Sequence, residues 1–556
     1  MSTDDDRLFK LPKRIGAEDH LIGLGLAGVY VTWLIRTARV LGFARDEGFY
    51  FHAASDYQRW FEALLGPSQP GQAFQRPFID GIWATNHEHP GLMKSLFALA
   101  HLYFFKQWHW FEDQSTAFRF PGMVMAGIAL WVIYLWGARA YSRRAGLFAA
   151  LLFALMPRVF YHAHLACFDV GITTMWVLCL YVYWRSIGQG FNWALLLGVV
   201  FGLALDTKHN AWILPFVILP HALFVNRRGG ARGSVRLPLN VVMMLLVGPA
   251  VFIGLWPWLW NDTFPRIQEW MGFHLNHEYY NMEFLGRNYF AAPSPRTYMP
   301  VMIAATVPAV TLLLFFVGAF DRLKNAAARV FGAAPGDPKQ TDLLIALGML
   351  AALAPWILSA KTPIFGGTKH WMPAYPLMVL FAGRGLDVVA TKAAAMVKEK
   401  ALAVRRAAMG ALYASVIAAP LALTIHSHPF GLTAYTPAVG GTQGAADLGL
   451  NRQFWGFTTE SANLEYLAKN APQNSSVFIH DTAWDSWMRM VDENRVRRDL
   501  RGVASPSEAD FSLVHHELHM AEIDHHIWVA YGVTNPAYVV AHDGVPVVSV
   551  YRRPGR

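Results

Sequence analysis

Long apolar runs recur along the first three quarters of this chain and alternate with short polar segments. A helix that crosses the hydrocarbon core of a bilayer needs about 20 mostly apolar residues, with a range of about 17 to 25. The pattern therefore predicts a mainly α-helical, polytopic membrane protein with about eleven transmembrane helices. The predicted spans are residues 21–41, 118–136, 145–164, 172–184, 193–205, 211–225, 239–260, 299–320, 343–358, 371–386 and 409–425.

One further apolar run, residues 92–105, is shorter than this range, as several of the predicted spans are, and is predicted to form an interfacial or re-entrant helix. Charge supports this interpretation, because the cytoplasmic loops of membrane proteins are enriched in Lys and Arg. With this run lying flat, the basic residues Arg139, Arg143 and Arg144 fall in the cytoplasm. The N-terminus is predicted to be cytoplasmic for the same reason, since Lys10, Lys13 and Arg14 precede the first span.

Composition agrees with the pattern of spans. Hydrophobic residues make up 54% of the 556 residues and charged residues only 15%, against about 25% charged in a soluble globular domain. The net charge of +9 arises largely from Lys and Arg in short loops, which indicates membrane topology rather than a nucleic-acid surface. Cys167 and Cys179 are too few for a disulfide framework, and no cleavable signal peptide is predicted.

The last 130 or so residues have a different, polar composition. We expect residues 1–427 to form the membrane domain, with an external catalytic loop at about 42–117, and residues 428–556 to form a small soluble α/β domain on the outer face. His542, Asp543 and Gly544 form a hairpin turn signal between the last two predicted strands. The domain is predicted to contain a helix at 461–470 and strands at 475–480, 511–514, 538–541 and 545–551.

The polar clusters of the membrane domain all fall on the outer side in this topology. The first opens the segment that follows the first span, where Asp46 and Glu47 are adjacent. Ionisable residues near a span are costly to bury and are candidates for function. We therefore predict one external cavity that combines carboxylates with cations. The other clusters are His87 to Lys94; Arg158, His162, His164 and Asp169; Lys208, His209 and Asn210; His274 to Arg287; and Lys369 with His370.

Such a mixture suits the transfer of a group from a lipid phosphate. A carboxylate takes the proton from an acceptor hydroxyl, and Lys, Arg or His stabilises the charge that grows on the leaving phosphate. An enzyme embedded in the membrane draws its donor directly from the bilayer. It has no need of a soluble fold for binding a nucleotide sugar.

The order of these motifs resembles the dolichyl-phosphate-mannose protein mannosyltransferase family and its bacterial relatives, which include the aminoarabinose transferases of lipid A. The resemblance covers about residues 21–386. It rests on Asp46-Glu47 followed by Tyr50, Ala53 and Tyr57, on His89-Pro90 with Lys94, and on Arg119, Arg158 and Asp169. It implies a family C glycosyltransferase fold, a polyprenyl-phosphate sugar donor, an inverting mechanism and an aspartate base in the first external loop.

The resemblance also implies roles for individual residues. Asp46 matches the general base, and Glu47 and Asp169 join it as the expected catalytic carboxylates. The residues expected to bind the donor and its phosphate are His89, Lys94, Arg119, Arg158, Lys208, Lys369 and His370. Two features depart from the family: Pro90-Gly91 replaces a double proline, and the C-terminal region lacks the repeats of the eukaryotic enzymes.

The expected partners are a polyprenyl-phosphate-linked sugar, an acceptor on a protein, lipid or glycan, and membrane lipids, with no nucleic acid. No cofactor is expected. A divalent metal at His87-Glu88-His89 is disfavoured, because three adjacent side chains do not easily reach one ion. The histidines of the C-terminal region are interpreted as a solvated helix rather than a metal site. They are His515, His516, His519, His525 and His526.

Plainer interpretations remain open for several candidates. Asp46 and Glu47 also suit a solvated helix end, Asp169 a helix cap, Arg158 a headgroup contact and Lys208 an interface anchor. The rival function is a multi-pass transporter or lipid flippase, for which ionisable groups near the bilayer midplane are expected. Charges that gather at one face favour the enzyme. The resemblance to the bacterial members implies that this enzyme lies in a bacterial inner membrane. A binding module on a membrane scaffold is a third interpretation.

Overall fold

The computed structural model describes residues 15–66, 70–228, 237–330, 337–359, 361–364, 366–452, 465–517 and 520–555. The protein is mainly helical, as the hydrophobic pattern predicts. The first eleven helices are α1 (Ala17–Thr37), α2 (Arg45–Leu65), α3 (Arg76–Trp83), α4 (Leu92–Ala100), α5 (Gln114–Ala140), α6 (Arg143–Ala154), α7 (Pro157–His164), α8 (Asp169–Ser186), α9 (Phe191–Leu205), α10 (Leu214–Arg228) and α11 (Leu239–Leu255).

The remaining helices lie on either side of residue 428, where the C-terminal region was predicted to begin. Those before it are α12 (Thr263–Leu275), α13 (Tyr298–Thr306), α14 (Ala309–Val330), α15 (Thr341–Leu358), α16 (Tyr375–Met396) and α17 (Leu402–Ser427). Those after it are α18 (Gly441–Asp447), α19 (Ala468–Asn470), α20 (Trp484–Asp492) and α21 (Ala521–Tyr531).

Four helices of the described residues are long and apolar enough to cross a membrane, namely α1, α5, α15 and α17. Two bent pairs raise the number to six if each pair is one span: α6 with α7, bent by 68°, and α13 with α14, bent by 113°. Pro157 and Pro308 lie at these bends. Proline disfavours a continuous helix through the residue before it, which explains why the helices break at these points. The protein is a multi-pass membrane protein, and these lengths do not confirm the predicted count of eleven spans.

The predicted external segment at 42–117 contains, besides the helix expected at 92–105, the helices α2 and α3, which were not predicted. Helix α2 is polar along much of its length and packs an aromatic face, with Tyr50, Phe51 and Tyr57 buried. The short apolar run forms α4, which continues as a π-helical turn at His101–Gln107. Helix α4 is not among the candidate spans of the described chain, in keeping with its length.

Close helix contacts hold the membrane part together. Helices α14 and α16 approach most closely at two glycines, Gly318 and Gly385. A Cβ atom on Gly385 would lie 1.9 Å from the carbonyl oxygen of Leu314, so no larger residue fits there. Small residues allow this approach in membrane helices, where dispersion and hydrogen bonds replace the hydrophobic effect as the source of association.

The C-terminal region contains a five-stranded mixed sheet, with the order β4-β3-β5-β7-β6. Strand β3 pairs in parallel with β4 and β5, whereas β7 pairs antiparallel with β5 and β6. Strands occur at all four predicted positions, and the predicted hairpin turn joins the last two. The strands are β3 (Ser476–Ile479), β4 (Arg501–Val503), β5 (Phe511–His515), β6 (Tyr538–His542) and β7 (Val545–Arg552), and a separate hairpin is formed by β1 (Met282–Phe284) and β2 (Arg287–Tyr289).

Four helices and strands described in this region were not predicted: α18, α20, β4 and α21. The predicted helix at 461–470 lies partly outside the described residues, and its described end contains α19. The division of the chain at residue 428 stays a prediction.

Candidate functional site

A cavity of about 620 Å³ collects most of the predicted polar clusters. Its lining comes from the first turns of α2, the loop before α4, the N-terminal end of α8, the turn after α9, helix α12 with the segment after it, and the segment before α16. Segments of the C-terminal region complete the wall. Among the lining residues are Asp46, Glu88, His89, Asp169, Lys208, His209, His274, Lys369, His370, Asp481, Asp485 and Glu517.

Asp46 faces this cavity from the first turn of α2. Its carboxylate is 24% exposed, and Oδ2 lies 3.3 Å from Nζ of Lys369. A carboxylate in the first turn also interacts favourably with the helix dipole. Asp46 is therefore a partly accessible anion beside a buried cation.

Asp169 opens α8 on another side of the cavity. Its Oδ1 accepts a hydrogen bond from Nζ of Lys208 at 2.7 Å, and Nδ1 of His162 lies 4.0 Å from Oδ2. Burial acts to raise the pKa of Asp169, but the charges of Lys208 and Lys369 outweigh it and hold that pKa at about 2. Burial lowers the pKa of Lys369, and the carboxylates of Asp46 and Asp169 oppose that effect.

The Lys208–Asp169 pair makes stability depend on pH. A carboxyl whose pKa is lower in the folded protein adds stability that is complete above its ordinary pKa of 3.8 and is lost as the pH falls through about 2. We expect Lys208→Met to remove up to about 2 kcal/mol of this contribution at pH 7 and less at pH 3. The measurement is the unfolding temperature in detergent at both pH values.

The control for this variant is Lys106→Met, because Lys106 forms a half-exposed pair with Glu62 at 3.5 Å. Pairs of this kind contribute about 0–1 kcal/mol. If Lys208→Met and the wild type show the same rise in unfolding temperature from pH 3 to pH 7, the pair does not stabilise the fold.

Glu47 points away from the cavity and into the protein. It forms a fully buried ion pair with Arg119, with Nε–Oε1 at 2.8 Å and Nη2–Oε2 at 2.7 Å. The backbone N–H groups of Ala44 and Ala166 also donate to its carboxylate. Successive residues of a helix point about 100° apart, so only one of the two adjacent acids faces the cavity. Neither Glu47 nor Arg119 lines it.

Lys94 supports the loop that carries His89 rather than lining the cavity. Its ammonium donates to the carbonyl oxygens of Asn86 at 2.5 Å and His89 at 2.8 Å, and it lies 5.0 Å from the ring centroid of Tyr57. Asp206 fixes the other end of the loop, because its Oδ1 accepts from the N–H of Gly91 at 3.0 Å.

Three imidazoles form one wall of the cavity. The rings of His209 and His274 stack at 3.9 Å, His89 lies 5.8 Å from His274, and Nε2 of His274 contacts the carbonyl oxygen of Glu88 at 2.8 Å. Burial lowers the pKa of His89 and His209 well below the usual value and that of His274 to about 4. All three are therefore neutral near pH 7. His209 and His274 belong to predicted polar clusters but were not assigned a role.

The two remaining donor candidates differ in position. His370 lines the cavity with its ring 4.8 Å from that of Trp356. Arg158 is buried in α7 with its guanidinium 4.9 Å from the ring of Tyr435, and it does not line the cavity.

The C-terminal region contributes residues that the sequence analysis did not assign to the site. Asp481 lies 3.3 Å from Arg45, and Asp485 lies 3.2 Å from His52, so both carboxylates pair with side chains of α2. Glu517 also lines the cavity. Acidic residues in a polar region carry no signal of their own, and only the tertiary fold shows that they reach the membrane part.

The described residues contain one group with ligand atoms close enough for a metal ion, and it lies away from the cavity. It consists of His426, His542 and Asp543, whose ligand atoms are within 4.8 Å of one another. His426 and Asp543 already share a hydrogen bond of 2.7 Å. His87, a member of the disfavoured metal motif, contacts Glu269 at 3.1 Å. His519 of the C-terminal group lies outside the described residues.

Residues 96–258 match the family model of the dolichyl-phosphate-mannose-protein mannosyltransferases. Helices α5 to α11 lie within that segment, and so do Arg119, Arg158, Asp169 and Lys208. A search of curated proteins finds no match.

Two kinds of solved structure are similar to this chain. ArnT from Cupriavidus metallidurans bound to undecaprenyl phosphate is 16% identical, with a TM-score of 0.48, over 96% of this chain and 98% of that chain. The oligosaccharyltransferase AglB from Archaeoglobus fulgidus, in complex with an inhibitory peptide and a dolichol-phosphate, is 13% identical, with a TM-score of 0.48, over 88% of this chain and 65% of that chain.

The family match confirms the resemblance that the motifs indicate. It does so over the segment that supplies one carboxylate and one lysine of the cavity, Asp169 and Lys208. Over residues 96–258, the chain is similar to the dolichyl-phosphate-mannose-protein mannosyltransferases, a family of glycosyltransferases.

Proposed function

We propose that this protein transfers a sugar from a polyprenyl-phosphate donor to an acceptor hydroxyl at the outer face of the membrane, with inversion at the anomeric carbon and with Asp46 as the general base. The observation that supports this most strongly is the meeting of Asp46, Asp169, Lys208 and Lys369 in one cavity. These residues come from four distant parts of the chain. Two carboxylates and two ammonium groups are the chemistry that the reaction requires.

In the proposed reaction, a side chain of the cavity assists the formation of the new bond, and others assist the breaking of the old one. The acceptor oxygen bonds to the anomeric carbon while Asp46 takes the hydroxyl proton. The bond from that carbon to the phosphate oxygen breaks, and the electron pair leaves with the phosphate. Attack opposite the leaving group inverts the anomeric carbon in a single displacement. Lys208 and Lys369 stabilise the charge that develops on the phosphate.

Other residues act by positioning. Asp169 holds the Lys208 ammonium at 2.7 Å, and Lys94 holds the loop of His89 through two carbonyls. The Glu47–Arg119 pair fixes the first turn of α2 against α5, so that Asp46 faces the cavity. His89 and His370 line the donor side of the cavity, whereas Arg158 does not line it. In this proposal Glu47 is a positioning residue rather than a catalytic one.

The orientation of the protein belongs to the same proposal. With the N-terminus in the cytoplasm, the cavity and the C-terminal region lie on the extracytoplasmic side of a bacterial inner membrane. Lys and Arg in the opposite loops fit this orientation. The acceptor hydroxyl belongs to a protein, a lipid or a glycan.

The function is tested with purified protein in proteoliposomes that contain labelled polyprenyl-phosphate sugars and a panel of acceptors. We expect label to appear in an acceptor and free polyprenyl phosphate to accumulate in equal amount. If the wild type moves lipid or solute across the bilayer and transfers no sugar, the protein is a transporter instead. Mass spectrometry of glycoconjugates from a deletion strain and its parent identifies the acceptor.

A further inference from the structure

The chain that leads into Asp46 is held by Arg119 of the membrane part. Residues 38–44 connect α1 to α2 and have no regular structure through most of their length. Arg119 donates to the carbonyl oxygens of Ala38 at 3.3 Å, Leu41 at 3.3 Å and Gly42 at 2.6 Å. Its guanidinium lies 4.9 Å from the ring of Phe43. This segment is therefore fixed by hydrogen bonds from a side chain rather than by a helix or a strand.

A second arginine, Arg495 of the C-terminal region, holds the same segment. Arg495 donates to the carbonyl oxygens of Arg39 at 2.8 Å and Leu41 at 3.1 Å, and its guanidinium lies 5.0 Å from the ring of Phe43. Arg119 and Arg495 thus share both the Leu41 carbonyl and the Phe43 ring. The Arg495 side chain is only 4% exposed, so these contacts form in a nearly dry environment.

Glu493 fixes Arg495 in place and joins it to α5. Its Oε2 lies 2.9 Å from Nε of Arg495. Its two oxygens also accept from the N–H and the hydroxyl of Ser115, at 2.7 and 2.8 Å, in the first turn of α5. A carboxylate at this position interacts favourably with the N-terminus of the helix. The arginine is consequently anchored on the helix that also carries Arg119.

Helix α20 makes a direct contact with α2, the helix that carries Asp46. A Cβ atom on Gly48 of α2 would lie 2.6 Å from Cβ of Ala483 and 2.7 Å from Oγ of Ser486. No larger side chain fits between the two elements at that point. Since Gly48 is two residues after Asp46, the C-terminal region touches α2 within one turn of the proposed base.

From these contacts we infer that the C-terminal region is part of the catalytic unit, and that Arg495, held by Glu493, is a positioning residue that sets the location of Asp46 through residues 38–44. The inference rests on the proposed function for the role of Asp46. It assigns a task to a region whose role the sequence leaves open. Arg495 touches neither donor nor acceptor and acts only through the backbone before α2.

The test compares Arg495→Ala and Arg495→Lys with Arg497→Ala. Arg497 is a matched control, because it lies two residues away and pairs with Asp499 at 2.6 Å, and it bonds to the carbonyls of Ala468 and Ala471 within the C-terminal region. Misplacement of a catalytic group by about 1 Å costs about 10²-fold in rate. We expect Arg495→Ala to lower kcat by about 10- to 100-fold, with KM for the donor changed by less than about threefold.

Arg495→Lys is expected to recover part of the lost kcat, since it keeps the charge but not the shared hydrogen bonds. Arg497→Ala should keep kcat within about twofold, because its contacts do not reach residues 38–44. A loss of kcat in Arg497→Ala as large as that in Arg495→Ala would mean general damage to the C-terminal region and would overturn the inference. So would an unchanged kcat in Arg495→Ala.

Hydrogen exchange separates this inference from the proposed function. We expect amides in peptides covering residues 38–50 to exchange at least tenfold faster in Arg495→Ala and at the wild-type rate in Arg497→Ala. This readout needs no activity. If the wild type transfers no sugar, the proposed function fails while the exchange data still decide whether Arg495 fixes the segment. Unchanged exchange in Arg495→Ala contradicts the inference even in an active enzyme.

Discussion

Asp46→Asn is expected to lower kcat by about 10²- to 10⁴-fold, the usual contribution of a general base, and to change donor binding by less than about threefold. Asparagine keeps the size of the side chain and accepts hydrogen bonds, but it takes no proton from a hydroxyl at neutral pH. The contact with Lys369, at 3.3 Å, loses only its charge. The measurements are single-turnover transfer and binding of the labelled donor to the variant in detergent.

Asp80→Asn is the control for this substitution. Asp80 is a partly exposed carboxylate that pairs with Arg266 at 2.7 Å and does not line the cavity. The kcat of Asp80→Asn is expected to stay within about twofold of the wild-type value, since Asp80 does not line the cavity. An Asp46→Asn enzyme with wild-type kcat would remove Asp46 as the base and leave Asp169 as the remaining carboxylate of the expected catalytic set in the cavity.

The predicted sidedness of charge brought together several residues that line the cavity, although four others of the same set do not line it: Glu47, Lys94, Arg119 and Arg158. Asp46 and Lys369 are 323 positions apart, and they lie 3.3 Å from each other. This proximity agrees with the predicted topology, in which ionisable residues concentrate where spans end because burying charge in hydrocarbon is costly. The same argument predicts that Lys208 and Asp169 are close to each other, and their side chains lie 2.7 Å apart. The positions of span ends therefore contain much of the information about this cavity.

The direction of individual side chains was not predictable in the same way. A loop at Asp46 and Glu47 does not determine the directions in which their side chains point. The helix that begins at Arg45 does, and it places the two side chains on different sides. Glu47 pairs with Arg119, which lies 72 positions later in the chain. The sequence does not show which of the two adjacent carboxylates forms the ion pair with this buried arginine. Local helical phase and long-range pairing decided this part of the site.

The contacts between the C-terminal region and the rest of the protein could not be predicted from the sequence either. Asp481, Asp485 and Arg495 are charged residues in a polar region, and polar composition predicts exposure rather than contact with a membrane domain.

The strands were predictable from alternating patterns and a hairpin turn, but β4 has only three residues and lies at the edge of the sheet. Short edge elements carry too little pattern to be recognised.

The largest effect on stability is expected for Arg119→Met. The side chains of Glu47 and Arg119 are both fully buried, at 0% exposure. Removing one partner of a buried ion pair leaves an uncompensated charge and costs about 3–5 kcal/mol. The segment at 38–44 also loses three hydrogen bonds from the guanidinium. We expect the free energy of unfolding, measured by denaturant titration in detergent, to fall by at least about 3 kcal/mol.

A double variant separates the charge from the hydrogen bonds. Glu47→Gln in the Arg119→Met background removes the buried anion, so stability should recover by about 1–3 kcal/mol, while kcat stays low because residues 38–44 still lack the three hydrogen bonds from Arg119. Arg76→Met is the matched control, since Arg76 is a half-exposed arginine that pairs with Asp80 and Asp262. Its loss is expected to cost less than about 1 kcal/mol. If Arg119→Met is no less stable than Arg76→Met, the buried pair does not fix the first turn of α2, and another contact must hold Asp46 toward the cavity.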